Sequence, residues 1–364
     1  MDTPWGPLAS LDPDDRALAF EILQSDKHQL LEGLVVENTF DQILYPLSVA
    51  TSQRFVSLDA DTVVATTGKL GDRWQVFVWA HHPDNATGLR RYLHALGRVA
   101  DVFLVTYADQ TFFAQQRAHG QPPSAPEPLH ELLRRRTGAN ASISDVDLTV
   151  RDRDRQMTAF WGYLNTTYPG RRLWSEVVLT RLLINHGIQP FFPAVWNLDR
   201  ICLFDDQLWM LEVKHKFPFV SQRSQKLAFG LNDGELTMMK LLDEAGIRTL
   251  HALIVKPKWS KDVGSMYLHS DLNMRERAAV ITLVMDHQRI NRLAATQSGS
   301  SPSHTALTGR GALKFKIIPA SSFAFLGALS DGTQTLSARL ESAFDGRDLP
   351  QVTDDLLRNY EVPA

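Results

Sequence analysis

Two apolar runs joined by an acidic pair constrain this chain more than any other feature. Leu198–Phe204 and Gln207–Lys214 are rich in Leu, Ile, Cys, Phe, Trp, Met and Val, and only Asp205-Asp206 separates them. Such residues suit a pleated, half-buried surface, and an Asp pair tolerates the positive φ of a tight turn. A β-hairpin is therefore predicted. Asp199 stands near the open end of its first strand, and Glu212 and Lys214 near that of its second. Side chains two apart on a strand share a face, so Glu212 and Lys214 lie together and Val213 points away. Counting back from the turn sets residue 199 roughly opposite residue 212, with Cβ atoms about 5 Å apart. Like charges so close repel, and burying them is costly unless a cation or a partner compensates. Two carboxylates and the Val213 carbonyl form a hard oxygen set suited to Mg²⁺ or Mn²⁺.

That set points to phosphodiester hydrolysis. The reaction needs a nucleophilic water, neutralised phosphate charge and a stabilised leaving oxygen, and a divalent metal serves all three. Lys214 is placed to orient the water or help deprotonate it. Glu176, one turn into a predicted helix over 173–186, is expected to assist by holding a second metal or a metal-bound water.

The elements around the hairpin follow an ordered pattern. Residues 12–35 read as a helix capped by Asp12 or Asp14. Strands follow at Arg54–Leu58, Thr62–Thr67 and Trp74–Ala80, the last bounded by Gly71-Asp72. A helix over Ala86–Ala100 and a buried strand over Asp101–Tyr107 complete an α-β-β-β-α-β order. Gln121–Pro128 holds four prolines in eight residues and reads as a linker. Arg134-Arg135-Arg136 and the alternating charges of Arg151–Arg155 read as solvated faces. Gln156–Asn165 reads as a connecting helix. The same order then recurs, with a helix over 173–186, strands over Ile188–Val195, Leu198–Phe204 and Gln207–Lys214, a helix over Asp233–Ala245 closed by Gly246, and a strand over Thr249–Val255. A helix is predicted over Met274–Ala294, a loop over Thr296–Gly311, a strand over 312–318 and peripheral helices over 332–364. The expected domains are 1–118, a connector over 119–169, a second α/β domain over 170–330, and a tail over 331–364.

Over residues 170–256 the chain resembles the PD-(D/E)XK nuclease superfamily, whose restriction-endonuclease-like core is α-β-β-β-α-β. Asp199 matches the family's Asp on the second strand, Glu212-Val213-Lys214 its (D/E)-x-K, and Glu176 its helical Glu. Leu198 stands where the motif often has proline. The resemblance implies an α/β fold and a metal-dependent endonuclease acting most often on DNA, with Mg²⁺ or Mn²⁺ as cofactor. Asp199, Glu212, Val213 and Glu176 would hold metal, and Lys214 would position the water. In some members the lysine's role moves to the following helix, where Lys226 or Gln225 would serve. Arg171, Arg172, Lys216 and Lys226 are candidate contacts to nucleic acid. Restriction or phage defence is the setting the resemblance suggests. A non-catalytic nucleic-acid-binding or assembly protein that retains the fold is the alternative, and so is an RNA-cleaving nuclease.

Several classes are disfavoured. The single cysteine, Cys202, allows no internal disulfide and no multi-cysteine zinc site. It is expected to be a packed thiol. A net charge of −3 argues against a pure polyanion-binding module. No histidine pair has H-E-x-x-H spacing, and His215 is expected to pack rather than react. Trp161, Tyr163, Tyr168 and Trp174 beside Arg171-Arg172 read as core more readily than as a stacking platform. Met1-Asp2-Thr3-Pro4 lacks the form of a secretory signal, and no stretch approaches the ~20 apolar residues of a membrane span, so a cytoplasmic protein is expected. The N-terminal α-β-β-β-α-β run is either a generic α/β sensor domain or a degenerate nuclease-like fold without acid-x-Lys. In either case its expected role is recognition, regulation or formation of a homodimer.

Overall fold

The computed structural model describes residues 1–25, 29–50, 54–68, 72–81, 86–117, 120, 122–139, 154–300 and 313–363. Gly71 of the expected turn, His82, the charges at 151–153 and the 301–311 part of the expected loop lie outside the described residues. The helices up to residue 244 include, in chain order, α1 (Arg16–Gln24), α2 (Gln29–Ala50), α3 (Ala86–Gly97), α4 (Leu129–Thr137), α5 (Asp154–Thr167), α6 (residues 174–188) and α7 (Asp233–Glu244). The strands of the two main sheets are β1 (Phe55–Ser57), β2 (Ala60–Thr66), β3 (Trp74–Ala80), β4 (Ala100–Ala108), β5 (Thr111–Gln116), β6 (Glu127–Pro128), β7 (Ala194–Leu198), β8 (Arg200–Phe204), β9 (Gln207–Lys216), β10 (Arg248–Val255), β11 (Ala279–Met285) and β12 (Ala324–Ala328). The fold class is mixed α/β, as expected.

The chain divides into two compact units, both discontinuous in sequence. Unit 1 comprises Met1–Lys27, Leu58–Ile201 and Glu244–Gly246; unit 2 comprises His28–Ser57, Cys202–Asp243 and Ile247–Ala364.

Unit 1 is built on a six-stranded sheet ordered β6-β5-β4-β3-β2-β7. β3 and β4 are parallel, bridged by α3, and the other neighbours are antiparallel. Val64, Val76, Val78 and Val105 are fully buried, and Phe77 stacks on Phe103 with centroids 5.1 Å apart. α3 sets Tyr92 and Leu96 on this sheet, where the Tyr92 hydroxyl donates to Thr62 Oγ1 at 3.0 Å. α6 opens and closes with π-helical turns, at Trp174–Val178 and Leu183–Ile188.

Unit 2 is built on a sheet ordered β12-β11-β10-β9-β8-β1. β9 and β10 are parallel, and α7 makes the crossover. Every residue of β10 after Arg248 is buried, as befits a central strand covered on both faces. α2 packs beside β9 and against the helix Thr333–Phe344, burying Leu31, Phe40 and Ile43. The Asp205-Asp206 turn forms as predicted, with φ of 44° and 66°. Gly246 ends α7 at φ 75°, as read from the sequence.

Four expected elements differ. The helix over 12–35 is two helices, and the second runs to Ala50 through Pro46. Residues 188–193 are not strand; the chain stays helical to Phe191, and β7 begins at Ala194. Leu198–Phe204 is not one strand, because Asp199 separates β7 of unit 1 from β8. The predicted helix over Met274–Ala294 contains β11, a continuous apolar run whose periodicity does not separate buried strand from buried helix. No helix among the described residues is long and apolar enough to cross a membrane.

Candidate functional site

The polar face of unit 2 grows from the alternation of β9. Trp209, Met210 and Leu211 are buried, and the strand carries on beyond them to Lys216. Glu212, Lys214 and Lys216 occupy alternate positions and share one face, with Val213 and His215 on the other. The Glu212 side chain is only 8% exposed, and Lys214 is 27% exposed. Lys214 Nζ lies 2.5 Å from Glu212 Oε1. Glu212 is thus a nearly buried carboxylate already balanced by an ammonium. Lys214 supplies one of the compensating partners that burial of this acid requires.

A second acid joins this face, and the sequence reading did not single it out. Asn232 precedes α7 and Glu235 is its third residue. The Glu235 carboxylate accepts from Asn232 N and from Asn232 Nδ2, both at 3.1 Å. Glu235 thus supplies the glutamate half of a capping box, and the polar-x-x-Glu spacing before an apolar run was the available signal. The carboxylate also lies 3.7 Å from Lys216 Nζ, which donates to the Gly230 carbonyl at 2.7 Å. Burial alone would raise the Glu235 carboxyl, but Lys216, Lys214 and the Asn232 backbone outweigh it and hold it below its usual range.

His251 is the second unforeseen group. It is the ladder partner of Glu212 on β10, wholly buried, and neither ring nitrogen finds a hydrogen-bond partner among the described residues. Burial, with Lys216 and Lys214 nearby, pushes its imidazole down to about 3, and Glu235 and the Glu212 backbone only partly oppose this. The ring is therefore neutral at physiological pH. His215, on the reverse face, has a partner in Tyr267 Oη at 2.8 Å, and burial pushes it down to about 3 as well. The reading of His215 as a packing histidine agrees with this contact.

The remaining predicted residues fall elsewhere. Glu176 belongs to unit 1, on the first turn of α6, where Arg172 grips it through two hydrogen bonds of 2.6 and 2.9 Å. Arg171 is likewise in unit 1 and pairs with Asp14. Asp199 is counted with unit 1, in the one-residue link between β7 and β8. The expected catalytic set is thus divided, with Glu212 and Lys214 in unit 2 and Glu176 and Asp199 in unit 1. Lys226 and Gln225 precede the strand Leu227–Asn232 and are not on α7, which removes the basis for placing a helical lysine there. Lys226 accepts a backbone bond from Ser221 in that turn. Cys202 is a buried thiol. Tyr163, Tyr168 and Trp174 are core residues, and Trp161 stacks on Phe20. Among the described residues no three His, Cys, Asp or Glu side chains gather closely enough to hold a metal ion. No family model, curated protein or solved structure matches this chain.

Proposed function

We propose that unit 2 carries a Mg²⁺-dependent phosphodiesterase site that acts on nucleic acid, with DNA the favoured substrate. The carrying observation is the pairing of a nearly buried Glu212 with a partly exposed Lys214 in the C-terminal half of β9. That strand is parallel to its neighbour through a helical crossover, and open α/β sheets take their ligands outside the carboxyl ends of such strands. Resemblance to the PD-(D/E)XK superfamily adds the substrate class, and restriction or phage defence would be its biological setting.

The donor set fits Mg²⁺ better than a dedicated cage metal. Mg²⁺ is commonly held by one or two carboxylates, with water and substrate phosphate completing its shell. Glu212 and the Val213 carbonyl are oxygen donors of that kind. When bound, such an ion supplies charge neutralisation at the phosphate and an acidified water. Glu212 and the Val213 carbonyl would hold the ion, and Lys214, already beside Glu212, would orient the attacking water and face the phosphate. Lys216, tied to Gly230 and Glu235, acts as a fixed positive charge along the same face.

One observation favours a second reading, a fold kept for binding or assembly. Lys214 already balances Glu212, so the pair stands without any metal. Mn²⁺ titration calorimetry separates the two, since a binding-only relic takes up no ion. The activity test is incubation with supercoiled plasmid, linear duplex, single-stranded DNA and RNA, with Mg²⁺ or EDTA. Cleavage that requires Mg²⁺ and vanishes in Glu212→Gln is expected; equal cleavage by Glu212→Gln refutes the assignment, and cleavage of RNA alone moves the substrate from DNA to RNA.

A further inference from the structure

The two six-stranded sheets share one topology. Read from one edge, β7-β2-β3-β4-β5-β6 in unit 1 corresponds to β1-β8-β9-β10-β11-β12 in unit 2. In both, successive neighbours run antiparallel, antiparallel, parallel, antiparallel and antiparallel. The β8–β9 step follows from its two-residue turn. In both, one helix bridges the parallel step, α3 or α7, and a helix precedes the edge strand, α6 before β7 or α2 before β1. In chain order, however, α2-β1 leads into β2-β3-α3-β4, and α6-β7 leads into β8-β9-α7-β10. Each helix–strand arm thus completes the sheet of the other run.

We infer that the chain is a tandem duplication of one α-β-β-β-α-β module whose two copies have exchanged their helix–strand arms. The connectors give the physical cause. Only Asp199 separates β7 from β8, and a hairpin between adjacent strands needs at least two turn residues. Leu58-Asp59 separates β1 from β2, and neither residue takes the positive φ of a two-residue turn, unlike Asp205-Asp206 and Asp109-Gln110, which do turn. Both arms must therefore run on into another sheet, and an equivalent edge is available because the modules are alike. Short hinges of this kind are what drive exchange of identical elements.

Register supports equivalence at single-residue level. The last arm residues, Leu198 and Ser57, pair with Thr62 and Cys202. Asp59 and Asp199 each lie three residues before those partners. Three residues beyond the next partner, Val78 in unit 1 and Trp209 by the turn count in unit 2, stand His81 and Glu212. His81 Nε2 lies 2.8 Å from Asp61 Oδ2, which also accepts from Thr180 Oγ1 at 2.7 Å. The acid–lysine pair is thus confined to one copy, and a His–Asp–Thr chain holds its place in the other.

The native thiol gives a direct test in the full chain. Leu58 N donates to Ile201 O at 2.9 Å, so the adjacent Ser57/Cys202 pair is the non-hydrogen-bonded kind, with Cα atoms roughly 4.5 Å apart and within disulfide reach. Oxidised Ser57→Cys is expected to be a monomer with a 57–202 disulfide by peptide mapping, while Leu198→Cys stays reduced. A 198–202 disulfide, with none in Ser57→Cys, would return each arm to its own copy. A covalent dimer of Ser57→Cys would place the exchange between chains, and a folded Ser57→Cys that resists oxidation would remove the pairing; each overturns the inference. Should Ser57→Cys not fold, a specific protease site inserted between residues 140 and 151 replaces it. The cut halves are expected to co-elute natively and part only in denaturant; native separation overturns the exchange.

Discussion

Replacing His251 by leucine should stabilise this protein and flatten its acid sensitivity. His251 is wholly buried beside Glu212 with both ring nitrogens unpaired among the described residues. A buried polar group without a partner costs about 1–3 kcal/mol, which an apolar side chain of similar size recovers. Leucine has nearly the volume of histidine, so neither a large cavity nor a clash is introduced. Protonation adds a second effect. The folded imidazole titrates near 3 and the unfolded one near 6.5, so its folded value is depressed. The contribution of the neutral ring is complete above about pH 6.5 and is lost as pH falls toward the folded value. Between pH 7 and pH 5 that loss is roughly 2 kcal/mol for one such group. Urea unfolding of wild type and His251→Leu at pH 7 and pH 5 measures both effects. The variant should be more stable at pH 7, and its loss on going to pH 5 should be smaller by roughly 2 kcal/mol. A variant less stable than wild type at pH 7, or one with unchanged pH dependence, refutes the unpaired-histidine account.

Lys214→Met should abolish plasmid cleavage while Mn²⁺ binding persists by calorimetry, because an ammonium is not a ligand; lost binding would recast Lys214 as a shaping residue. Glu235→Ala removes the capping box and the partner of Lys216, so chemical denaturation should show a loss of about 2–4 kcal/mol. With its folded value held below the usual carboxylate range, the Glu235 contribution is complete above about pH 4.3 and fades as pH falls further, so the wild-type advantage over Glu235→Ala should shrink toward pH 3. Arg54 pairs with Asp205, Glu341 and Asp345, so Arg54→Ala should lower the Tm at low salt and matter less at high salt; a salt-independent difference would mean packing rather than charge.

Local chemistry is legible in the sequence wherever neighbours along the chain decide the outcome. The Asp205-Asp206 turn, the β9–α7–β10 crossover and the shared face of Glu212 and Lys214 all follow from turn preference, capping and the two-residue period of a strand. The α-β-β-β-α-β order also occurs in both runs, although the helix before the first strand of the first run and the first strand of the second lie later than the residues predict. Pairing between distant segments is another matter. Sequence order assigns β7 to β8 and β1 to β2, yet each edge strand lies in the sheet of the other run, because hydrogen-bonding edges of like modules are interchangeable and only connector geometry chooses between them. β11 looks helical until a fully buried neighbour, β10, makes a continuous apolar strand the better fit. Glu176 and Glu212 look like one constellation by spacing, but the exchange places them in different units. Periodicity could show which residues share a face of one element. Which elements share a sheet, and which buried groups such as His251 and Glu235 come to lie beside Lys216, depended on long-range packing, whose free energy is set by contacts that no local window contains.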